Sequence, residues 1–329
     1  MHDAETAWVA VADLGTTKTL ALVAVRERAG LRVVAHGQAV TRGLRHGRVT
    51  DVAAAASSLR LAVERAAAGL AELPPLHLGV AAPAAEAWAA GAEREAAAAA
   101  GLEVAAVVPN ALAAAEAVLD RAEAEAGAAV VDIGGGSCDV AAFDRGRLVH
   151  TASIGMGSAY ITNDLAIGLG IPWAAAESLK LRHARVDGAL LQKTVEVPTE
   201  GGTRAVELPF VQEIALARVD EILEAVKAAL EEARAAGCRF GAGVVLTGGG
   251  AALRGLAKRA MEVWDLPVRF GAPQLGDERW TGLETPQAAA AMGLLRLAAA
   301  APAAAAASAR EEPPATFARR LWAWLAGLV

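Results

Sequence analysis

Two short stretches set an acid and small residues between apolar runs: DLGTTKT at 13–19 and DIGGGSCDV at 132–140. Glycine weakens a strand unless the backbone must turn sharply or come close to another group. Backbone N–H groups left open by such small residues can cradle phosphate oxygens. A hydrated Mg²⁺ beside that phosphate would draw in carboxylates, here Asp13 and Asp132, mostly through water. For either stretch alone, a tight hairpin turn explains the glycines equally well. Two copies at equivalent places in two similar units are harder to explain that way. A third glycine cluster, TGGGAALRGL at 247–256, ends an apolar run and opens a helix.

The elements that must position these turns repeat. In the first half, WVAVADL, LALVAV and LRVVAHGQAV read as three strands with DLGTTKT at the first turn. A helix follows from Asp51, a plausible N-cap, with Val52, Leu59 and Val63 on one face. LHLGVAA and VAAVVP (104–109) are further strands, and 110–125 reads as one helix capped by Asn110. The second half runs AAVVDIG, CDVAAFD and LVHTASI, then a helix around YITNDLAIGLG. A charged, mostly helical stretch at 173–236 holds one hairpin, TVEVPTEGGTRAVEL. Strand, glycine turn and helix then return at 241–263.

Composition narrows the function classes. The chain has 329 residues, enough for two domains or one large bilobal one, and a formal net charge of −6. That acidity argues against nucleic acid, whose phosphate backbone needs a basic field. Its hydrophobic residues, 55% of the chain, are largely alanine, and only 4% is aromatic. The two cysteines, Cys138 and Cys238, lie far apart in no metal-ligand spacing, which fits a reducing cytosol. The N-terminus lacks a basic then apolar leader pattern. The longest apolar stretches are broken by Pro109, Glu116 or Pro302, and none reads as a membrane span. His36, His46, His77, His150 and His183 stand apart and read as ordinary surface or satisfied residues. Cys138 reads as a small buried filler.

The constellation resembles the superfamily of actin, the heat-shock chaperones and the sugar kinases, all ATP-binding proteins. DLGTTKT is similar to its first phosphate motif, VVDIGGGSCDV to its second and VVLTGGGAALRGL to its adenosine motif. VPNALAAAEAVL and ETPQAAAAMGLL resemble its two connecting helices. Within it, the chain is similar to the bacterial cell-division family FtsA over most of 8–297. The matching stretches include VTRGLRHGRVTDVAAAASSLRLAVERA, GMGSAYITNDLAIGLGIPWAAAESLKLRHA and VEVPTEGGTRAVELPFVQEIALARVDEIL.

The resemblance implies an α/β, bilobal actin-like ATPase fold: duplicated ribonuclease-H-like domains around a nucleotide cleft, plus a C-terminal amphipathic helix. It divides the chain into lobe I (1–126), lobe II (127–172 and 237–284), a subdomain 2B (173–236), a returning connecting helix (285–298), a linker (299–315) and the terminal helix (316–329). A further subdomain usual in the family, 1C, has only 84–103 in its place, whose Ala/Glu composition suits a single short helix.

The implied cofactors are ATP and Mg²⁺. Asp13 and Asp132 would hold the hydrated metal, and Thr16, Thr17 and Lys18 would contact phosphates. Gly134, Gly135 and Gly136 would wrap the β- and γ-phosphates, with Ser137 donating to phosphate or finishing the turn. Gly248, Gly249, Glu177 and Lys180 would hold adenosine, and Gly15 and Gly157 complete the set. Apart from the resemblance, Glu177 and Lys180 read as a surface i, i+3 ion pair. Asn110 and Asp132 are candidates for positioning a water. The amide at Asn110 cannot accept a proton as a carboxylate can, so weak or absent ATPase activity is expected.

The tail adds a separate signal. On a helix, Phe317, Leu321, Trp324 or Leu325, and Leu328 share one apolar face, with Arg319, Arg320 and Trp322 beside it. Such a helix could lie in a membrane surface or dock back on its own domain. The family resemblance implies the membrane. It also implies an anionic membrane surface and the tubulin-like division protein FtsZ, met through 2B, as partners. Self-association into filaments or dimers and a place on the cytoplasmic face of the membrane at the division site are implied as well. A small-molecule kinase or a pilus-assembly ATPase on the same fold are the rival readings.

Overall fold

The computed structural model describes residues 7–27, 30–70, 72–87, 90–188, 192–199, 201–274 and 278–300, with backbone alone at 7, 85, 278, 279 and 281. The first unit starts with strands β1 (Ala7–Leu14), β2 (Lys18–Glu27) and β3 (Gly30–Val40), then a two-residue-per-arm hairpin, β4 (Leu44–Arg45) and β5 (Arg48–Val49). Helix α1 (Val52–Ala66) follows, and its N-cap is Asp51, whose carboxylate accepts from the Ala54 N–H at 3.0 Å. Leu59 and Val63 of α1 are buried, as the periodicity predicts. Strand β6 (Leu76–Val80), helices α2 (Ala84–Ala87) and α3 (Gly91–Ala99), strand β7 (Val104–Pro109) and helices α4 (Asn110–Val118) and α5 (Arg121–Ala126) complete the unit.

The second unit repeats the order. Strands β8 (Ala128–Ile133), β9 (Cys138–Asp144) and β10 (Arg147–Ile154) lead into helices α6 (Ala159–Leu169) and α7 (Trp173–His183). A hairpin of β11 (Thr194–Thr199) and β12 (Gly202–Glu207) precedes the long helix α8 (Leu208–Ala235). Strand β13 (Gly243–Thr247), helix α9 (Leu256–Trp264), strand β14 (Val268–Phe270) and helix α10 (Ala289–Ala300) follow.

The duplication is explicit in the pairing. One sheet runs β3-β2-β1-β6-β7 and the other β10-β9-β8-β13-β14. In each, the first three strands form an antiparallel meander and its first strand pairs in parallel with the next. Asp13 and Asp132 therefore end the central strands of two equivalent sheets. Strands β8 and β9 are buried along their whole length, which explains their near-continuous apolar runs. Helices α4 and α10 pack between the sheets in a core shared by Val11 and Leu22 of one and Val130 and Phe143 of the other. A Cβ on Gly293 of α10 would lie 1.5 Å from the Ala113 carbonyl oxygen of α4, so only glycine allows this backbone approach.

Three expectations are corrected. The helix expected at 110–125 is two helices, and Pro109, not Asn110, occupies the cap position. The break follows from Leu119 being extended and from Asp120 and Glu123 forming a capping box that starts α5 afresh. Arg296 donates to the Glu116 and Ala117 carbonyls and Arg269 to that of Val118, closing the end of α4. Between β6 and β7 stand two helices, the one-turn α2 and α3, where one was expected; Ala90 interrupts them in a non-helical conformation. Helix α10 runs to Ala300, two residues into the expected linker.

Candidate functional site

The two acid–glycine turns face each other. Gly134 N–H donates to the Ser137 carbonyl at 2.9 Å, closing the second turn. A Cβ on Gly135 would lie 2.4 Å from the Thr17 methyl, and one on Gly136 2.5 Å from Thr16 Oγ1. The triple glycine is therefore where one turn meets the other. Gly248 completes the third side. Its φ of +88° is in the left-handed region, and a Cβ there would lie 2.1 Å from Asp132 Oδ1.

These turns enclose a cleft of about 340 Å³. Asp13, Gly15, Thr16, Thr17, Lys18, Asn110, Asp132, Gly134, Gly135, Gly136, Ser137, Glu177, Lys180, Gly248 and Gly249 all line it. Gly157 stands behind the wall instead. A Cβ on it would lie 2.6 Å from the Gly134 carbonyl oxygen, and the neighbouring Ser158 and Ala159 N–H groups donate to Gly134 and Gly135.

Sequence reasoning missed Asp139. It is buried in the cleft wall and accepts from Ser137 Oγ at 3.0 Å and Ser153 Oγ at 2.5 Å. Pairing the hairpin residue by residue would have found it, since the register sets Asp132 directly opposite Asp139. Ser137 is thus engaged with Asp139.

Burial dominates the electrostatics. It raises Asp13 to about 6, against the opposing pull of Lys18 and the hydrogen bond from Asn110. It raises Asp139 to about 6, against the hydrogen bonds from Ser153 and Ser137. It holds Asp132 well above the usual carboxylate range, helped by repulsion from Asp139 and Asp13 and opposed by Lys18. Burial lowers Lys18 while both Asp13 and Asp132 pull it up, and its Nζ donates to the Gln287 carbonyl at 3.2 Å. Mutually repelling carboxylates are relieved by a cation. Among the described residues no three His, Cys, Asp or Glu side chains converge as metal ligands. The donor set therefore fits an ion that keeps most of its water, as Mg²⁺ does beside phosphate.

Asn110 Nδ2 donates to Asp13 Oδ1 at 3.0 Å, while its own Oδ1 is buried with no partner. The amide orients one of the two acids from the start of α4. On the far wall, Lys180 Nζ lies 2.8 Å from Glu177 Oε2 and donates to the Ser158 carbonyl at 3.2 Å, and Thr162 donates to the same Glu177 oxygen. The i, i+3 pair expected from sequence alone is present, and it forms part of the cleft.

Residues 129–293 match the family model for cell division protein FtsA. The chain belongs to the FtsA family. Cell division protein FtsA of Neisseria meningitidis is 37% identical over 191 residues, covering 57% of this chain and 46% of that protein. FtsA of Bacillus subtilis is 38% identical over 206 residues, covering 60% of this chain and 44% of that protein. The chain thus spans about half the length of the curated relatives it matches. MreB5 of Spiroplasma citri bound to ADP superposes with a TM-score of 0.65 at 17% identity, covering 89% of this chain and 96% of that one. The PilM–PilN type IV pilus biogenesis complex does so at 0.67 and 15%, covering 89% and 99%. At such identities the FtsA-like chain shares with these two the actin-like fold alone, and it is the family match that separates it from the pilus reading. No helix among the described residues is long and apolar enough to cross a membrane. Phe317, Arg319, Arg320, Leu321, Trp322, Trp324, Leu325 and Leu328 lie outside the described residues.

Proposed function

We propose that this chain is an ATP-binding actin homologue that tethers FtsZ to the cytoplasmic face of the cell membrane at the division site. The observation that carries the reading is the meeting of two equivalent acid–glycine turns and the 248–250 glycines around one cleft. Thr16, Thr17 and the N–H groups of 135 and 136 take the phosphates, and Lys18 supplies a positive charge among them. Asp13 and Asp132 hold hydrated Mg²⁺. Glu177, Lys180 and Gly249, where a Cβ would meet nothing nearer than 3.5 Å, receive the nucleoside. The ADP bound to MreB5 supports a nucleotide in this fold.

Hydrolysis is slow in this reading. Asn110 offers no proton-accepting carboxylate, and its amide is committed to Asp13. ATP then acts mainly as an assembly and conformational ligand. For FtsZ, the 2B region presents exposed Trp173 and Phe210 on α7 and α8. The terminal helix supplies the membrane contact, and self-association into filaments multiplies weak single-chain attachments.

Co-sedimentation with FtsZ and anionic liposomes, with and without Mg·ATP, tests this. FtsZ should pellet with the liposomes only when this chain is present, and Asp132→Ala should abolish the ATP dependence. Liposome binding without FtsZ recruitment would overturn the tether, and calorimetry showing no heat with Mg·ATP would overturn the nucleotide.

A further inference from the structure

His46 read as an ordinary surface residue, yet it joins the two units. It sits at the tip of the β4–β5 hairpin with φ +52°. Its Nδ1 lies 2.9 Å from the Gly155 carbonyl oxygen at the end of β10 and is hydrogen-bonded to Tyr160 Oη of α6. Tyr160 Oη donates to that same carbonyl at 2.9 Å. One assignment satisfies all three groups: the proton on Nδ1 serves the carbonyl and the phenol oxygen, and the phenol proton goes to the carbonyl. The fit is close, since a Cβ on Gly155 would lie 3.1 Å from His46 Cβ. Arg218 of α8 rests 5.5 Å from the Tyr160 ring centroid and is held there by Asp164 at 2.5 Å and Glu221 at 2.6 Å.

Each side of this cluster is one residue or a few from a phosphate turn. Next to His46, Gly47 N–H donates to Thr16 Oγ1 at 3.0 Å. Just beyond Gly155, Ser158 N–H donates to the Gly134 carbonyl at 2.9 Å and Ala159 N–H to that of Gly135 at 2.8 Å. Neither His46 nor Tyr160 lines the cleft. They can act on a bound ligand only through the turns they tie together.

We propose that His46, Gly155 and Tyr160 form a latch between the lobes that keeps the two turns closed over the polyphosphate end of the nucleotide. His46 and Tyr160 are positioning residues, and the latch governs how fast nucleotide leaves. His46 is exposed to water, so its hydrogen bonds are individually modest and the latch opens readily. The nucleotide part rests on the reading under Proposed function; the closure of the lobes does not.

Two measurements on the full chain test it. Spin labels at Leu61→Cys on α1 and Met261→Cys on α9, both exposed, report lobe separation without ligand; the native cysteines are buried. A fluorescent ATP analogue with Mg²⁺ reports the dissociation rate. His46→Gly, which suits the left-handed backbone, should lengthen and broaden the distances and speed release about tenfold, the equivalent of one hydrogen bond of about 1.4 kcal/mol. Tyr160→Phe keeps the ring over Arg218 and should shift both readouts in the same direction. The pair His46→Cys with Gly155→Cys, once oxidised, should slow release, and reductant should reverse it. Distances unchanged in both variants would overturn the latch. So would release rates unchanged by the variants and by the crosslink. If the wild-type chain retains no labelled ATP, the nucleotide reading falls and the ligand-free distances alone decide the latch.

Discussion

Replacing Asn110 with Asp probes the centre of the cleft. The wild-type amide gives Asp13 Oδ1 a hydrogen bond at 3.0 Å. The substitution removes that donor, worth about 1.5–3 kcal/mol to a charged acceptor. It also brings a second carboxylate against Asp13, where two unit charges about 4 Å apart repel by about 4 kcal/mol at an effective dielectric of 20. The protein will relieve the repulsion by keeping one of the pair protonated. Asp13 already stands at about 6 against 3.8 in an unfolded chain. Between those values the folded state binds more protons than the unfolded one, so this group's contribution to stability falls as pH rises through the window. In Asn110→Asp the window extends upward. The ligand-free variant should therefore lose about 2–4 kcal/mol at pH 8, or roughly 5–10 °C in Tm, and much less at pH 5. Mg²⁺ should restore most of the loss, because a divalent ion turns the added carboxylate from a liability into a ligand. Thermal unfolding at pH 5 and pH 8, with and without Mg²⁺, reads all of this. A Tm that falls equally at both pH values and ignores Mg²⁺ would refute the reasoning, because the loss would then be simple packing. Phosphate release measured alongside asks whether the missing carboxylate also limits turnover.

Other outcomes follow from single contacts. Gly248→Ala should abolish Mg·ATP binding in calorimetry while leaving a cooperative unfolding transition, because its Cβ would sit 2.1 Å from Asp132 Oδ1. Retained affinity would mean that the 248–250 turn has no part in the site. His77 of β6 is half-buried, with its Nδ1 out of water and unpartnered, and desolvation lowers it from 6.5 to about 4. The unfolded chain binds more protons across that window, so stability is lost on acidification, by up to about 3 kcal/mol at roughly 1.4 kcal/mol per unit. Denaturant titrations at pH 4.5 and 7.5 should show that loss shrink in His77→Leu, and an equal loss in both proteins would contradict the assignment. Deleting 316–329 should release the chain from anionic liposomes without changing ATP affinity, and Trp324→Glu should do the same. Flotation that survives Trp324→Glu while Tm drops would instead mean that the helix docks on its own domain.

The residues that advertised themselves in the sequence are those whose chemistry is local. An acid and glycines at a strand end announce a turn, and the repetition of that pattern announced two matching sheets. The cleft wall assembled from 13–18, 134–137 and 248–249 was legible for that reason. What stayed hidden depends on pairing across the fold. Asp139 looks like a strand residue until the register sets it opposite Asp132. The break in the first connecting helix was hidden because Ala and Glu at 113–117 and 122–126 have uniform helix propensity. There the stop is imposed by Arg269 and Arg296, which come from more than a hundred residues away. His46 reveals its role only when β10 is alongside.

The alanines of α4 and α10 give the molecule its bearing. Ala111, Ala113, Ala114, Ala115 and Ala117 lie against a helix carrying Ala289, Ala290, Ala291 and Gly293, all buried between the sheets. An alanine methyl has no rotamers, so sliding one such surface over another changes no side-chain conformations and sacrifices no side-chain entropy. Interlocked leucines or isoleucines at the same place would have to disengage before the helices could turn, with voids opening at each step. The contact at Ala113 and Gly293 fixes where the two helices touch, with alanine methyls around it beside the larger Leu112, Met292 and Leu295. At the alanine-faced part of this contact, relative movement of the two units would therefore have fewer interlocked side chains to break than leucines would impose. A single bulky side chain at 113 or 293 would seize the joint long before it unfolded either sheet.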